Sequence, residues 1–554
     1  MTGATRLVLT AAALLGGHLG GPWPMSAFTP PQGRHPTRNH FEGRLRLTAE
    51  RGEAGFRVRR DVYGDANASG GAARHLPDFD FRFVQDGNAL IPVRRGAIPS
   101  AHSEWEFILD PGRVWDEPGD RGFTRAALPF ALEERNANCI HNGVLTFLFR
   151  DDGRISDVAY EIGQETCAYF QFDAWGHFAA TYVPDVEAGD AQAVARFRAA
   201  RRERLTTKPI AALAQDYPGA DPAAFGSPSE LPAAGLTTYG VVAGGVRYQG
   251  SCPTRFGPYP FCAEIVFPSY SLAKSIVGGL GLMRLALEYP RVLDARIADY
   301  VPACSSWGAV TFRDTLDMAT GRYRSAADQQ DEDGPDMLRF FLARTNARKL
   351  RFACRHYPPR TTPGTRWVYH TADAYVLGVA MNAYWRARRG PQADFYTDLL
   401  VHGIWSRLHL DPAIDVVQRT LDAARQPFTG YGLALHADDI AKIADFLSAE
   451  HGRVGGESLI DPTLLEEALQ RDPRHRGLQA GAPDLRYQLG FWAWNAAKSL
   501  DCTEPAWIPF MSGYGGIIVA MFPNGLTYYY VSDGGTFRWA LAAAEANRIR
   551  RFCR

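Results

Sequence analysis

"FPSYSLAKSIVG" runs from Phe267 to Gly278 and sets Ser271 and Lys274 three residues apart. On a helix, residues i and i+3 share a face, with Cβ atoms about 5–6 Å apart, so a serine hydroxyl at a helix mouth can meet the lysine amine. Lysine is a base only once it has lost its proton, and at its ordinary pKa about 0.04% is neutral at pH 7. Burial and a nearby positive field both lower that pKa. Bringing it close to neutrality requires about 4 kcal/mol from the fold. The flanks offer such burial: an apolar residue and a proline precede the serine, and "SIVGGLGLMRLALEY" follows it. Lys274 thus lies in a helix that reads as buried, where a free ammonium is costly. The competing reading is a capping serine beside a surface lysine, and the pair alone does not choose between them.

The rest of the chain sets bounds. It has 554 residues, 46% hydrophobic and 22% charged, with a formal net charge of zero. That is globular and long enough for two domains. Balanced charge and the lack of a Lys/Arg-rich run give no pull toward nucleic acid or an anionic membrane surface. Only five lysines occur, at 208, 274, 349, 442 and 498. At the start, one arginine precedes the apolar run Leu7–Leu15, which breaks up into glycines. The run is too short to span a bilayer and reads as a secretory leader over residues 1–27, with no clear cleavage site. No other segment is a candidate for membrane insertion. Eight cysteines follow, and an even count behind a leader suggests disulfides in an oxidising compartment. The simplest of the 105 connectivities is sequential: Cys139 with Cys167, Cys252 with Cys262, Cys304 with Cys354, Cys502 with Cys553. No C-x-x-C spacing suggests a metal, and no cofactor is expected.

Residues 39–183 read as an antiparallel β domain, in the form of a sandwich. "FDFRFV" repeats with period two, and "GVLTFLFRDDGRISDVAYEIG" is two strands around Asp152-Gly153. This part holds no cluster of catalytic residue types and names no ligand. Residues 184–230 hold a basic helix and a Pro/Gly-rich stretch that reads as a linker. From 231 to 554 strands open and close the region and helices lie between. "TTYGVVAGGVRYQG" is a hairpin, Ser271 opens a long apolar helix, and "GGIIVAMFP" and "GLTYYYVSD" flank Asn524-Gly525.

Five ordered stretches of this second region resemble the serine β-lactamase-like, penicillin-binding-fold hydrolases. That group includes class C β-lactamases, D-Ala-D-Ala carboxypeptidases, esterases and 6-aminohexanoate-dimer hydrolases. "YSLAKS" is similar to the first motif, S-x-x-K. "VTFRDTLDMATG", "PGTRWVYHTADAYVLG", "YGLALHADDIAKIADFL" and "FMSGYGGIIVAMFPNG" follow in the family's order. The resemblance implies an α/β (α+β) domain, an antiparallel sheet flanked by helices, behind the all-β N-terminal domain. It implies Ser271 as the acylated nucleophile, Lys274 as its base, and Tyr369 as a proton shuttle whose phenolate a nearby ammonium favours. An oxyanion needs two preorganised donors, and the backbone N–H groups of Ser271 and Tyr514 are the candidates. Thr371, Ser512 and Gly513 would line the substrate site.

Two departures bear on the substrate. Thr371 stands where the family carries Asn in Y-x-N, and Met511-Ser512-Gly513 where it carries K-T-G or H-x-G. Both lost groups bind the amide or carboxylate of β-lactam and peptide substrates. The expectation is a periplasmic or secreted serine hydrolase of a small-molecule ester or amide. The rivals are a D-Ala-D-Ala carboxypeptidase or weak β-lactamase, and a non-catalytic binding protein that retains the fold. The sequence carries no signal for oligomeric state. "DQQDEDG" (328–334) lacks the bidentate Glu of a calcium loop and reads as a solvated acidic loop. The glycines of "VGGLG" read as close packing. His370, beside Tyr369, diverges from it and is set aside as a base.

Overall fold

The computed structural model describes residues 9–16, 20–33, 36–50, 55–64 and 71–553. Its larger sheet has eleven strands. Eight run as an antiparallel meander in chain order: Glu42–Glu50, Asp80–Asp86, Ala89–Pro92, Gly112–Trp115, Thr124–Glu134, Ile140–Phe149, Val158–Thr166 and Phe172–Pro184. The last pairs back onto the first, with Leu45 opposite Tyr182, so the sheet closes into a barrel. This replaces the expected sandwich. The cause is Thr124–Glu134, which holds Ile140–Phe149 along one edge and shares its other edge between Gly112–Trp115 and Trp105–Leu109. Closure removes the unpaired edges that a sandwich keeps. Eight strands leave an interior that side chains can fill, and Leu45, Phe83, Phe130, Phe147, Tyr160 and Phe178 fill it.

Alternation sends Val144, Leu148 and Ala159 outward, where they meet Trp23, Met25 and Phe28 and, from the hydrolase domain, Tyr259, Phe261 and Ile265. Of the expected leader, residues 1–8 and 17–19 lie outside the described residues. Its remainder holds the helix Ala11–Gly16 and the turn Met25–Phe28, and Leu14, Met25 and Phe28 are buried on this outer face.

The stretch 184–230, read as a linker, is folded onto both halves. Helix Asp190–Arg202 lays Ala193, Val194 and Phe197 on Val84, Ala89 and Ile91 of the barrel. Thr206–Pro209 then joins the edge of the second sheet, parallel to Val246–Gln249. The prolines and glycines that suggested a linker shape turns instead: Asp221 caps Ala223 at 3.0 Å, with Pro222 in the first helical position.

The second sheet has nine strands. Leu236–Ala243 and Val246–Gln249 form the expected hairpin, with Gly244 and Gly245 at φ 58° and 74°, the double left-handed turn that needs glycine. Ile517–Met521 and Thr527–Ser532 pair around Asn524-Gly525. Period-two alternation gives this sheet two apolar faces. Ile517, Val519, Met521, Tyr529 and Val531 pack on helix Ala437–Ser448 and the other inner helices. Ile518, Ala520, Tyr528 and Tyr530 pack on Trp539 and helix Ala540–Ile549. Four disulfides join the cysteines in sequential pairs.

Candidate active site

The short strand Phe267–Pro268 pairs with Ala434–Leu435 and leads into the candidate nucleophile segment. Tyr270 follows at φ 39°, a left-handed backbone that a bulky residue rarely adopts and that neighbouring structure must hold. A barrel residue holds it. Asn138 Oδ1 accepts the Tyr270 N–H at 2.9 Å and the Gly432 N–H at 2.9 Å, while its amide donates to Leu433 O at 3.2 Å. Ser271 comes next, half-buried at the mouth of the helix. That helix is not uniform: Lys274–Gly279 is a π-turn, and Leu280–Glu288 continues as α-helix. Such turns are rare and cluster at functional sites. Gly279 lies where any Cβ would be 2.9 Å from Leu489 O, so the glycines of "VGGLG" do allow close approach.

Lys274 is buried, and its Nζ donates to Ser271 Oγ at 2.7 Å, Thr371 Oγ1 at 2.9 Å and Gly430 O at 3.3 Å. It also sits 4.7 Å from the centre of the Tyr369 ring. Burial lowers its pKa from 10.5 to about 8, against the pull of the Glu332 carboxylate. Tyr369 hydrogen-bonds to Ser271. Its pKa moves opposite to the sequence expectation: burial, and then Glu332, push it well up, so it is a protonated phenol at neutral pH.

Thr371 opens the 19-residue helix Thr371–Arg389. The first N–H groups of a helix have no partner within it, and here a distant residue supplies one. Glu332 Oε2 accepts the Thr371 N–H at 2.8 Å, and Glu332 Oε1 accepts the Thr371 hydroxyl. Glu332 comes from "DQQDEDG", which is therefore not simply a solvated loop. Asp331 also turns inward, to His370 Nε2 at 3.2 Å. His370 bonds Asp373 on its other nitrogen at 3.3 Å and stacks on Tyr357. Burial alone would lower its pKa, but Asp373 and Asp331 raise it to about 9. It is a buried structural cation with both nitrogens engaged.

The Beta-lactamase family model matches residues 232–544. The chain belongs to the beta-lactamase family. It is thereby a serine hydrolase by class, carrying that family's fold behind its own β-barrel. No curated protein matches it significantly. Among solved structures, EstCE1, "a hydrolase with promiscuous acyltransferase activity", is 15% identical, with 62% of this chain and 99% of that one covered at a TM-score of 0.44. A D-stereospecific amidohydrolase from Streptomyces sp. is 17% identical, covering 59% and 98% at 0.40. The octameric penicillin-binding protein homologue from Pyrococcus abyssi is 15% identical, covering 57% and 74% at 0.41.

In this beta-lactamase-family chain the strand Trp507–Gly513 runs beside the nucleophile segment. A Cβ at Gly513 would lie 2.9 Å from Ser269 O, and one at Gly516, with φ 108°, 2.6 Å from Thr536 O. Only glycine permits that approach. Among the described residues, no acceptor takes the backbone N–H of Ser271 or Tyr514. Ser512 is half-buried and Tyr514 exposed, while Met511 is fully buried in the core of sheet and helices. A candidate metal group, Asp110, Glu264 and His436, lies between barrel and hydrolase domain. Arg95 already engages Asp110, and Arg204 engages Glu264 at 2.6 Å on both oxygens, so these carboxylates are balanced by guanidinium groups. Sequence reading found Ser271, Lys274, Tyr369 and Thr371, which the fold brings together. It missed Glu332, Gly430 and Asn138, which reach the site only through tertiary structure.

Proposed function

We propose that the protein hydrolyses a small ester or amide through an acyl-enzyme on Ser271. The observation that carries this is the 2.7 Å bond from the buried Lys274 amine to Ser271 Oγ. With its pKa near 8, about a tenth of Lys274 is neutral at pH 7. In the first step Ser271 Oγ bonds to the acyl carbon, and its proton passes to Lys274. The backbone N–H groups of Ser271 and Tyr514 receive the oxyanion. Tyr369, kept protonated by burial, supplies the proton that the leaving group needs as its bond to carbon breaks. Lys274 hands its proton on to Tyr369; water then attacks the acyl carbon and gives a proton to Lys274, and as the carbon–Oγ bond breaks Lys274 returns that proton to Ser271.

Thr371 and Ser512 line the site. Thr371 has both hydroxyl contacts taken by Lys274 and Glu332. It is therefore not free to bind a substrate amide as the family's Asn does, and position 511 offers no cation. The preference is for neutral esters and amides over carboxylate-bearing β-lactams and peptides. Four disulfides suit an oxidising compartment and, with the expected leader, support a periplasmic or secreted location.

A panel of p-nitrophenyl esters, anilides and a chromogenic cephalosporin tests the reading. Esters or anilides should turn over with a burst of acylation. Cephalosporin turnover as fast as that of the best ester would favour a β-lactamase instead. No turnover of any of them would revive a non-catalytic binding role.

A further inference from the structure

Resting on the acyl-enzyme reading, we infer that Glu332 is a positioning residue of the same site: it holds the proton that Ser271 gives to Lys274, through Thr371. The geometry is a chain of three contacts. Lys274 Nζ donates to Ser271 Oγ at 2.7 Å and to Thr371 Oγ1 at 2.9 Å. The Thr371 hydroxyl, its lone pair occupied by that ammonium, donates onward to Glu332 Oε1. The second oxygen of Glu332 is fixed on the Thr371 N–H at 2.8 Å, at the positive end of the Thr371–Arg389 helix. One carboxylate is thus locked in place by two bonds to one residue, and its charge faces the lysine across a single hydroxyl.

Acylation creates charge at this point. As the Ser271 O–H bond breaks, Lys274 becomes an ammonium in a buried site, where an unbalanced charge is costly. Among the described residues, Glu332 is the carboxylate whose charge opposes the effect of burial on Lys274. The groups that face Glu332 are Lys274, Tyr369, His370, Tyr357 and Tyr431. Tyr357 and Tyr431 stay neutral, and Tyr369 is still a neutral phenol when Ser271 gives up its proton. His370 is held as a cation between Asp331 and Asp373. That leaves Lys274 as the partner whose charge changes as Ser271 is deprotonated. Asn, the family's residue at position 371, would accept and donate through two separate atoms, whereas Thr371 joins the Lys274 and Glu332 contacts on one oxygen. Thr371 and Glu332 therefore work as a unit.

The rate at which a fluorescent phosphonate labels Ser271, followed against pH, tests this without knowledge of the substrate. In wild type the rate should rise through the Lys274 pKa near 8. Glu332→Gln removes the charge and keeps the shape. Its rising limb should move down by about one pH unit. Its plateau should fall about tenfold, because a weaker base transfers protons more slowly. Thr371→Val, which breaks the chain while the carboxylate keeps its charge and its bond to the backbone N–H at position 371, should move the limb the same way. Glu332→Asp should restore part of the plateau. A Glu332→Gln profile that overlays wild type overturns the inference. If Glu332→Gln melts below assay temperature, Thr371→Val decides by the same criterion. Wild type that fails to label at all overturns the acyl-enzyme reading instead, so the two failures are told apart.

Discussion

Lys274 and Lys349 are both almost wholly buried in the hydrolase domain, and Lys274 is the one that meets a serine. Lys274 meets Ser271, Thr371 and, one contact further, Glu332. Lys349 lies in a cage of rings, 4.7 Å from the centres of both Phe340 and Phe428 and 5.6 Å from that of Tyr431. It donates to Phe340 O at 3.1 Å and Tyr431 Oη at 2.9 Å. Burial alone lowers its pKa to about 7, further than that of Lys274. Depressing a lysine is thus not enough to make a base. What separates the two is a serine hydroxyl within reach and a carboxylate one contact further, the groups that the proposed reaction needs. The pockets also touch: Gly430 accepts from Lys274, and the next residue, Tyr431, accepts from Lys349. Both lysines thus hold neighbouring residues of one loop.

The largest expected effect sharpens that contrast. Lys274→Ala should slow phosphonate labelling of Ser271 by at least ~10³, as loss of a catalytic-triad member does. Lys349→Ala in folded protein should stay within about threefold of wild type, as expected for a group that touches no reacting atom. Equal losses in both would break the comparison.

Asn138→Ala tests whether the barrel takes part in the site. It leaves the Tyr270 and Gly432 N–H groups without their acceptor, at a cost of about 1–3 kcal/mol. Because Tyr270 fixes the backbone before Ser271, labelling should slow about tenfold with the loss of alignment. A variant that loses stability but labels at the wild-type rate would make Asn138 a packing residue only.

Lys349→Met should lower stability by about 1–3 kcal/mol, since it strands a hydroxyl and carbonyl oxygens in the core. Urea unfolding measures this. Per pH unit, the smallest effect is the slope of stability with pH. Lys274 and Lys349 titrate near 8 and 7 when folded and near 10.5 when unfolded. Between those values the unfolded chain binds more protons, so stability should rise with pH from about 7 to about 10, by at most ~1.4 kcal/mol per pH unit for each lysine. Lys349→Met should flatten that rise at its lower end. An unchanged slope would mean that Lys349 keeps its charge in the folded protein.

The sequence made local chemistry legible and left distant contacts hidden, for a physical reason. Ser271 and Lys274 are one helical turn apart, so their meeting follows from backbone geometry. Tyr369 came from the order of family stretches, and the alternation of Ile517–Met521 and Thr527–Ser532 marked the second sheet directly. Glu332 lies in an acidic loop that resembles any solvated loop until the fold turns it onto a helix start nearly forty positions later in the chain. The barrel's strands were readable from period two, but its closure depends on Glu42–Glu50 meeting Phe172–Pro184, a pairing no local pattern encodes. The expected direction for Tyr369 failed for a related reason: proximity to Lys274 was inferred, while its burial and Glu332 were not.

Intact-mass and peptide mapping of protein treated with a fluorescent phosphonate tests the central claim most directly. A single adduct on Ser271 in wild type, with none in Ser271→Ala, is the predicted result. An adduct that persists in Ser271→Ala, or wild type that takes no label, would contradict it.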